Sequence, residues 1–189
     1  MQKLIWLLLL TSLTVQSRIP TMIQGREVVP NSKTSFTVIG KEGEKRVIDL
    51  KGYEFIVVSV RERGSDGRFY AVDRDGDVWF TGPVTSGAND FPTPSGIYTV
   101  LRKKRYYMSK DFPEPSGINN MDYSLFFTNK GHALHKGNVD WMSHGCIHIS
   151  PKHIPTLFRW AKIHQTKVII TRNTYMPMAK PDLVKYHLR

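Results

Sequence analysis

From Tyr53 to Thr171 the chain falls into strand-length segments rich in β-branched and aromatic residues, with turn-forming residues between them. That rhythm admits little besides a mainly β domain. Phe55-Ile56-Val57-Val58-Ser59-Val60 is followed by Arg68-Phe69-Tyr70-Ala71-Val72 and by Asp77-Val78-Trp79-Phe80-Thr81, the last two flanking Asp75-Gly76. Asp-Gly predicts a hairpin there, because a tight primed turn needs positive φ. Thr93-Pro94-Ser95-Gly96 reads as a further turn ahead of a strand Ile97-Tyr98-Thr99-Val100, and Ser124 to Thr128 and Val168 to Thr171 read as two more. One helix is predicted between Ser150 and His164, where Ile154, Leu157, Phe158 and Ala161 share a face. Its start is left between Ser150-Pro151 and Pro155, since proline suits a first helical turn in either register.

This domain is expected over 53–172. Residues 18–52 read as a leader with one or two short strands, Phe36-Thr37-Val38-Ile39 and Val47-Ile48-Asp49-Leu50, and residues 173–189 as a basic tail. Residues 1–17 place Lys3 before an apolar run, Leu4 to Leu10, and end in Val15-Gln16-Ser17, the pattern of a secretory signal peptide. The run is short for a bilayer span of ~20 residues. An uncleaved anchor would be its membrane-bound alternative. Either way the folded part is expected outside the cytoplasm, in the periplasm or cell envelope. Losing Lys3 with this segment takes the formal charge from +11 to +10. Such a surplus favours anionic partners, wall polymers or phospholipid surfaces rather than nucleic acid once the chain is exported.

An exported chain with one cysteine cannot close an internal disulfide, so Cys146 is a buried bystander, an intermolecular link or a reactive thiol. Its neighbours favour the third. Gly131-His132-Ala133-Leu134-His135-Lys136-Gly137 precedes Ser143-His144-Gly145-Cys146-Ile147-His148-Ile149, a lone thiol among imidazoles. A free thiol, with pKa ≈ 8.5, is mostly protonated at neutral pH. An imidazole can remove its proton directly or, as imidazolium, hold the thiolate by charge. Gly145 allows the backbone a conformation closed to other residues, and amides around Gly145 and Cys146 are expected to receive an oxyanion.

At these residues the chain resembles the L,D-transpeptidase catalytic domain, the YkuD-like family. The likeness lies in His135-Lys136-Gly137 followed by Ser143-His144-Gly145-Cys146, with Val84-Thr85-Ser86-Gly87, Thr93-Pro94-Ser95-Gly96-Ile97-Tyr98 and Met121-x-Tyr123 ahead of them in order. The resemblance implies a β-sandwich-like catalytic domain with one helix after the Cys motif and no cofactor. It also implies the roles: Cys146 as nucleophile, His135 as general base, His144 in support, Ser143 and Gly145 shaping the loop and oxyanion pocket. Peptidoglycan stem peptides are the implied partner. Two acyl transfers through a thioester would form cross-links or, with water as acceptor, hydrolyse the terminal D-alanine. Two departures stand out: the interval between the His and Cys motifs is short, and the second position after the cysteine, commonly Arg or Asn, is His148.

Several other readings compete. His132, His135, His144, Cys146 and His148 permit a zinc site by residue type, but their spacing fits no structural-zinc pattern, and no metal is expected. His132 receives no role. Arg102-Lys103-Lys104-Arg105-Tyr106-Tyr107 could be a nucleic-acid patch, yet a run of this length is usually a solvated strand end. Its more useful reading is the start of a loop over the site through about Asn120, where Tyr106, Tyr107, Trp141 and His148 would line a substrate groove. A non-catalytic wall-binding module that keeps the fold is the alternative function, and a monomer is expected.

Overall fold

The structure, a computed structural model, describes residues 19–60 and 67–188. The signal-like segment 1–17 lies outside the described residues. Chain order runs β1 (Met22–Gln24), β2 (Glu27–Pro30), β3 (Ser35–Ile39), β4 (Lys45–Asp49), β5 (Phe55–Val60), β6 (Gly67–Val72), β7 (Val78–Thr85) and β8 (Gly96–Thr99). It continues with β9 (Arg102–Lys104), β10 (Ser124–Phe126), β11 (Ala133–Lys136), β12 (Ile147–Ile149), α1 (Ile154–Trp160), β13 (Lys167–Thr171) and α2 (Met176–Lys185). Ten strands form one curled sheet in the order β1-β8-β13-β5-β6-β7-β12-β11-β10-β9, and β2-β3-β4 form a second, three-stranded sheet.

The β5 run is apolar at every position but Ser59 because the strand is covered on both faces. Ile56, Val58 and Val60 face one core, closed by Ile154 and Leu157 of α1 together with Leu134, Ile147 and Ile149. Phe55 and Val57 face the other core, closed by Val28, Phe36 and Val38 of the small sheet and by Tyr175 and Ala179 at α2. The sandwich-like expectation is met by these two apolar layers, with the large sheet between them. The β6–β7 hairpin turns at the Asp-Gly pair, with Gly76 at φ +86° and the Asp73 carboxylate accepting from the Asp75 and Asp77 amides, both at 3.0 Å.

Two findings depart from the sequence reading, and a third settles an alternative it left open. The leader carries four strands rather than one or two: β1 adds to the large sheet beside β8, and β2 to β4 cover its second core. Helix α1 takes the later of the two starts, with Pro155 in its first turn. The expected tail contains α2, an apolar-faced helix whose spacing of Tyr175, Ala179 and Leu183 is obscured by Pro177 and by Pro181 inside it. Asp182 fastens it, accepting from Lys33 Nζ at 2.9 Å and from the Val78 amide at 2.8 Å.

Candidate active site

Strands β11 and β12 pair in parallel, with Leu134 opposite Ile147 and His135 opposite His148. Alternation along a strand then sorts the side chains. Leu134, Ile147 and Ile149 enter the core, which leaves Ala133, His135 and His148 on the other face, next to Cys146 at the head of β12. His135 is 4% exposed. Its Nδ1 lies 2.8 Å from the Lys136 carbonyl, an acceptor only, so the neutral ring carries its hydrogen on Nδ1 and its lone pair on Nε2. Burial, then repulsion from His148, hold this imidazole down to about 3. Burial pushes the Cys146 thiol up, opposed by the Ala133 amide hydrogen-bonded to the sulfur. Both shifts favour the uncharged forms, a thiol at Cys146 and a neutral imidazole at His135.

The loop before the sulfur is closed on itself. Ser143 Oγ donates to the Cys146 carbonyl at 2.5 Å and accepts from the Gly145 amide at 3.0 Å. The Gly145 amide, expected to receive an oxyanion, is hydrogen-bonded within the loop in this arrangement. Gly145 sits at φ +106°, the left-handed side that glycine tolerates. The segment Val84 to Gly87 buttresses the loop from β7: Ser143 N–H donates to the Ser86 carbonyl at 3.0 Å, and Ala88 N–H to the Ser143 carbonyl at 2.9 Å. Thr93 joins the two, accepting from Gly87 N–H and donating to the Gly145 carbonyl at 2.9 Å. A Cβ at Gly87 would fall 2.7 Å from Gly145 Cα.

Cys146 opens onto two cavities of about 280 Å³ each. One holds His135, His144 and His148 beside the sulfur. The other is rimmed by Arg102, Lys110 and Lys130 and includes Tyr107 and His132. Ser109, Phe112 and Met121 from the loop after β9 border both, in agreement with the expected covering loop. His144 is exposed and sandwiched, stacked on Phe112 at 3.9 Å and edge-on to Phe91 at 5.0 Å.

A family model of the L,D-transpeptidase catalytic domain (YkuD) matches residues 54–170. The chain belongs to that family. L,D-transpeptidases act on the peptides of peptidoglycan and modify the cell wall. Solved L,D-transpeptidases share the fold. One from Mycobacterium smegmatis superposes with a TM-score of 0.51 at 19% identity, over 74% of this chain and 68% of that one. L,D-transpeptidase 1 from Mycobacterium tuberculosis gives 0.50 at 21%, over 75% and 73%. An Enterococcus faecium L,D-transpeptidase variant gives 0.52 at 17%, over 79% and 73%. No match was found among curated protein sequences.

Within this L,D-transpeptidase domain the structure brings Cys146, His135, His144, Ser143, Gly145, His148 and Tyr107 around one locus. It does not bring Tyr106 or Trp141 there: they are 66% and 71% exposed and border neither cavity. Trp141 contributes its carbonyl instead, to His148 Nδ1 at 3.2 Å. Sequence reasoning passed over His132, whose ring borders the sulfur's cationic cavity and would lie 3.1 Å from a Cβ at Gly145. It also passed over Phe91 and Phe112. The His132 ring is tied by Nδ1 to Thr128 Oγ1 at 2.9 Å, and the residue precedes β11, so strand alternation does not govern where it points. Among the described residues no group of three His, Cys, Asp or Glu side chains stands close enough to hold a metal, and no helix is long and apolar enough to cross a membrane.

Proposed function

We propose that this chain is an exported L,D-transpeptidase that works through a Cys146 thioester, with His135 as its base. The observation that carries the reading is an uncharged imidazole on β11 and a thiol at the head of its parallel neighbour β12, both bordering one open cavity. His135 Nε2 takes the thiol proton as the sulfur attacks the carbonyl of the third residue of a tetrapeptide stem. The amide C–N bond then breaks. His135 returns the proton to the departing D-alanine nitrogen, and a thioester remains on Cys146. An acceptor amine then attacks the thioester carbonyl, giving a proton to His135 Nε2; the C–S bond breaks and that proton returns to the Cys146 sulfur, leaving a cross-link, while water in place of the amine gives carboxypeptidase activity.

The Cys146 amide supplies the oxyanion contact, since that of Gly145 is engaged by Ser143. His144 supports the site through the aromatic sandwich that ties the Cys loop to the covering loop. Tyr107 and the uncharged wall beside His148 receive the stem peptide, and no cofactor takes part. Intact-mass measurement after incubation with a tetrapeptide-bearing wall fragment tests the reading. The expected result is an acyl adduct on the wild type that is missing in Cys146→Ser. Wall binding with no adduct at any time would instead make the chain a non-catalytic binding module.

A further inference from the structure

We infer that His148 is a positioning residue for the base: one ring nitrogen holds the short connection between β11 and β12, and the ring meets the His135 imidazole edge-to-face. This rests on the reading of His135 as the base. Nδ1 of His148 reaches two carbonyls, Asn138 at 2.9 Å and Trp141 at 3.2 Å, so it carries the hydrogen and donates to both. Two carbonyls three residues apart in the connection thus converge on one N–H.

The connection is fitted to that ring. A Cβ at Gly137 would fall 2.5 Å from His148 Cγ, so only glycine lets the chain leave β11 across the ring. Gly137 N–H continues the ladder to the Ile149 carbonyl at 3.0 Å. The Asn138 side chain then closes a turn by accepting from Asp140 N–H at 2.9 Å, and Thr85 on β7 donates to the Val139 carbonyl. His148 is also the register partner of His135, with ring centroids 5.0 Å apart and planes at 75°. One side of the His135 ring is fixed by the Lys136 carbonyl and another by His148. A side chain of the next strand thus braces the start of the connection.

The titratable groups around this pair are Lys136 on β11, His144 and Cys146 on the Cys loop, and Asp122, which reaches it through Lys136 Nζ at 3.3 Å. Two replacements separate the functions of the ring. His148→Asn keeps an N–H donor at the Nδ1 position and removes the titrating ring, whereas His148→Ala removes both. Three readouts are compared with wild type: hydrogen exchange across 138–142, the NMR titration of the His135 ring, and the rate of adduct formation on Cys146.

In His148→Ala the exchange protection is expected to disappear and acylation to fall by about tenfold or more, as misplacement of a catalytic group does. In His148→Asn protection persists and acylation stays within about threefold, because the clamp survives. The His135 titration is expected to move upward in both, since a neighbouring charge is gone. Unaltered exchange and acylation in His148→Ala would overturn the inference. So would a loss in His148→Asn as large as in His148→Ala, which would make the ring a substrate contact. Should the wild type form no adduct, the proposed function falls, and exchange and titration still decide whether His148 positions His135.

Discussion

The His135 imidazole, held down to about 3, is uncharged throughout the neutral range, and with His135 as the proposed base the acid limb of acylation is expected well below pH 6, where an ordinary imidazole would place it. The same shift bears on stability. Between pH 6.5 and about 3 the unfolded His135 binds a proton that the folded one refuses, so stability rises with pH across that window. Urea midpoints at pH 4 and pH 7 should therefore differ, and the difference should shrink in His135→Gln. The same variant should slow adduct formation by about 10²–10⁴-fold, read by time-resolved intact mass. Residue types and spacing drew attention to Cys146 and His135 in the sequence, and the fold brings both to one cavity. The inward turn of Ser143 was not legible in the sequence, since it depends on the backbone of Gly145. Nor was the aromatic sandwich, whose Phe112 and Phe91 come from segments with no chemical signature of their own.

Strand-length apolar runs and the Asp-Gly turn show through at the level of elements, where hydrophobic period and turn chemistry are local properties. The parallel pairing of β11 and β12 does not, because β12 has three residues and its register is set by contacts distant in sequence. Helix α2 hides behind two prolines, and its anchoring is a matter of charge. Asp77, hydrogen-bonded first by Tyr186 and then by Lys33, has its carboxyl lowered from 3.8 to about 2. A lowered carboxyl stabilises the fold above its unfolded value, and that contribution fades as pH falls through about 2. Acid unfolding of Asp77→Asn should accordingly be less steep below pH 4 than that of wild type. Asp182→Ala removes charge-assisted bonds to Lys33 and to the Val78 amide, and should cost about 1.5–3 kcal/mol in denaturant titrations. Gly145→Ala forces a side chain onto φ +106° against His132, and should cost about 1–3 kcal/mol together with the acyl adduct.

For the molecule as a whole, the segments flanking the L,D-transpeptidase match complete its cores. Phe36 stacks on Tyr175 with centroids 6.1 Å apart, one ring contributed by the leader and the other by the chain's last helical segment. Deleting 173–189 should uncover Phe36, Tyr70 and Val72 and yield a chain that is cut rapidly in limited proteolysis, where a dispensable tail would be lost without effect. The paired cores also bear on how the chemistry is lost. Cys146 stands at the head of β12 and His135 on β11, its parallel neighbour within the ten-stranded sheet, so both groups are held by the same pair of strands. Sulfur reactivity that depends on the imidazole should fade along the same denaturant curve as the sheet itself, in one step, because taking the two groups apart means taking apart the scaffold that makes the protein fold.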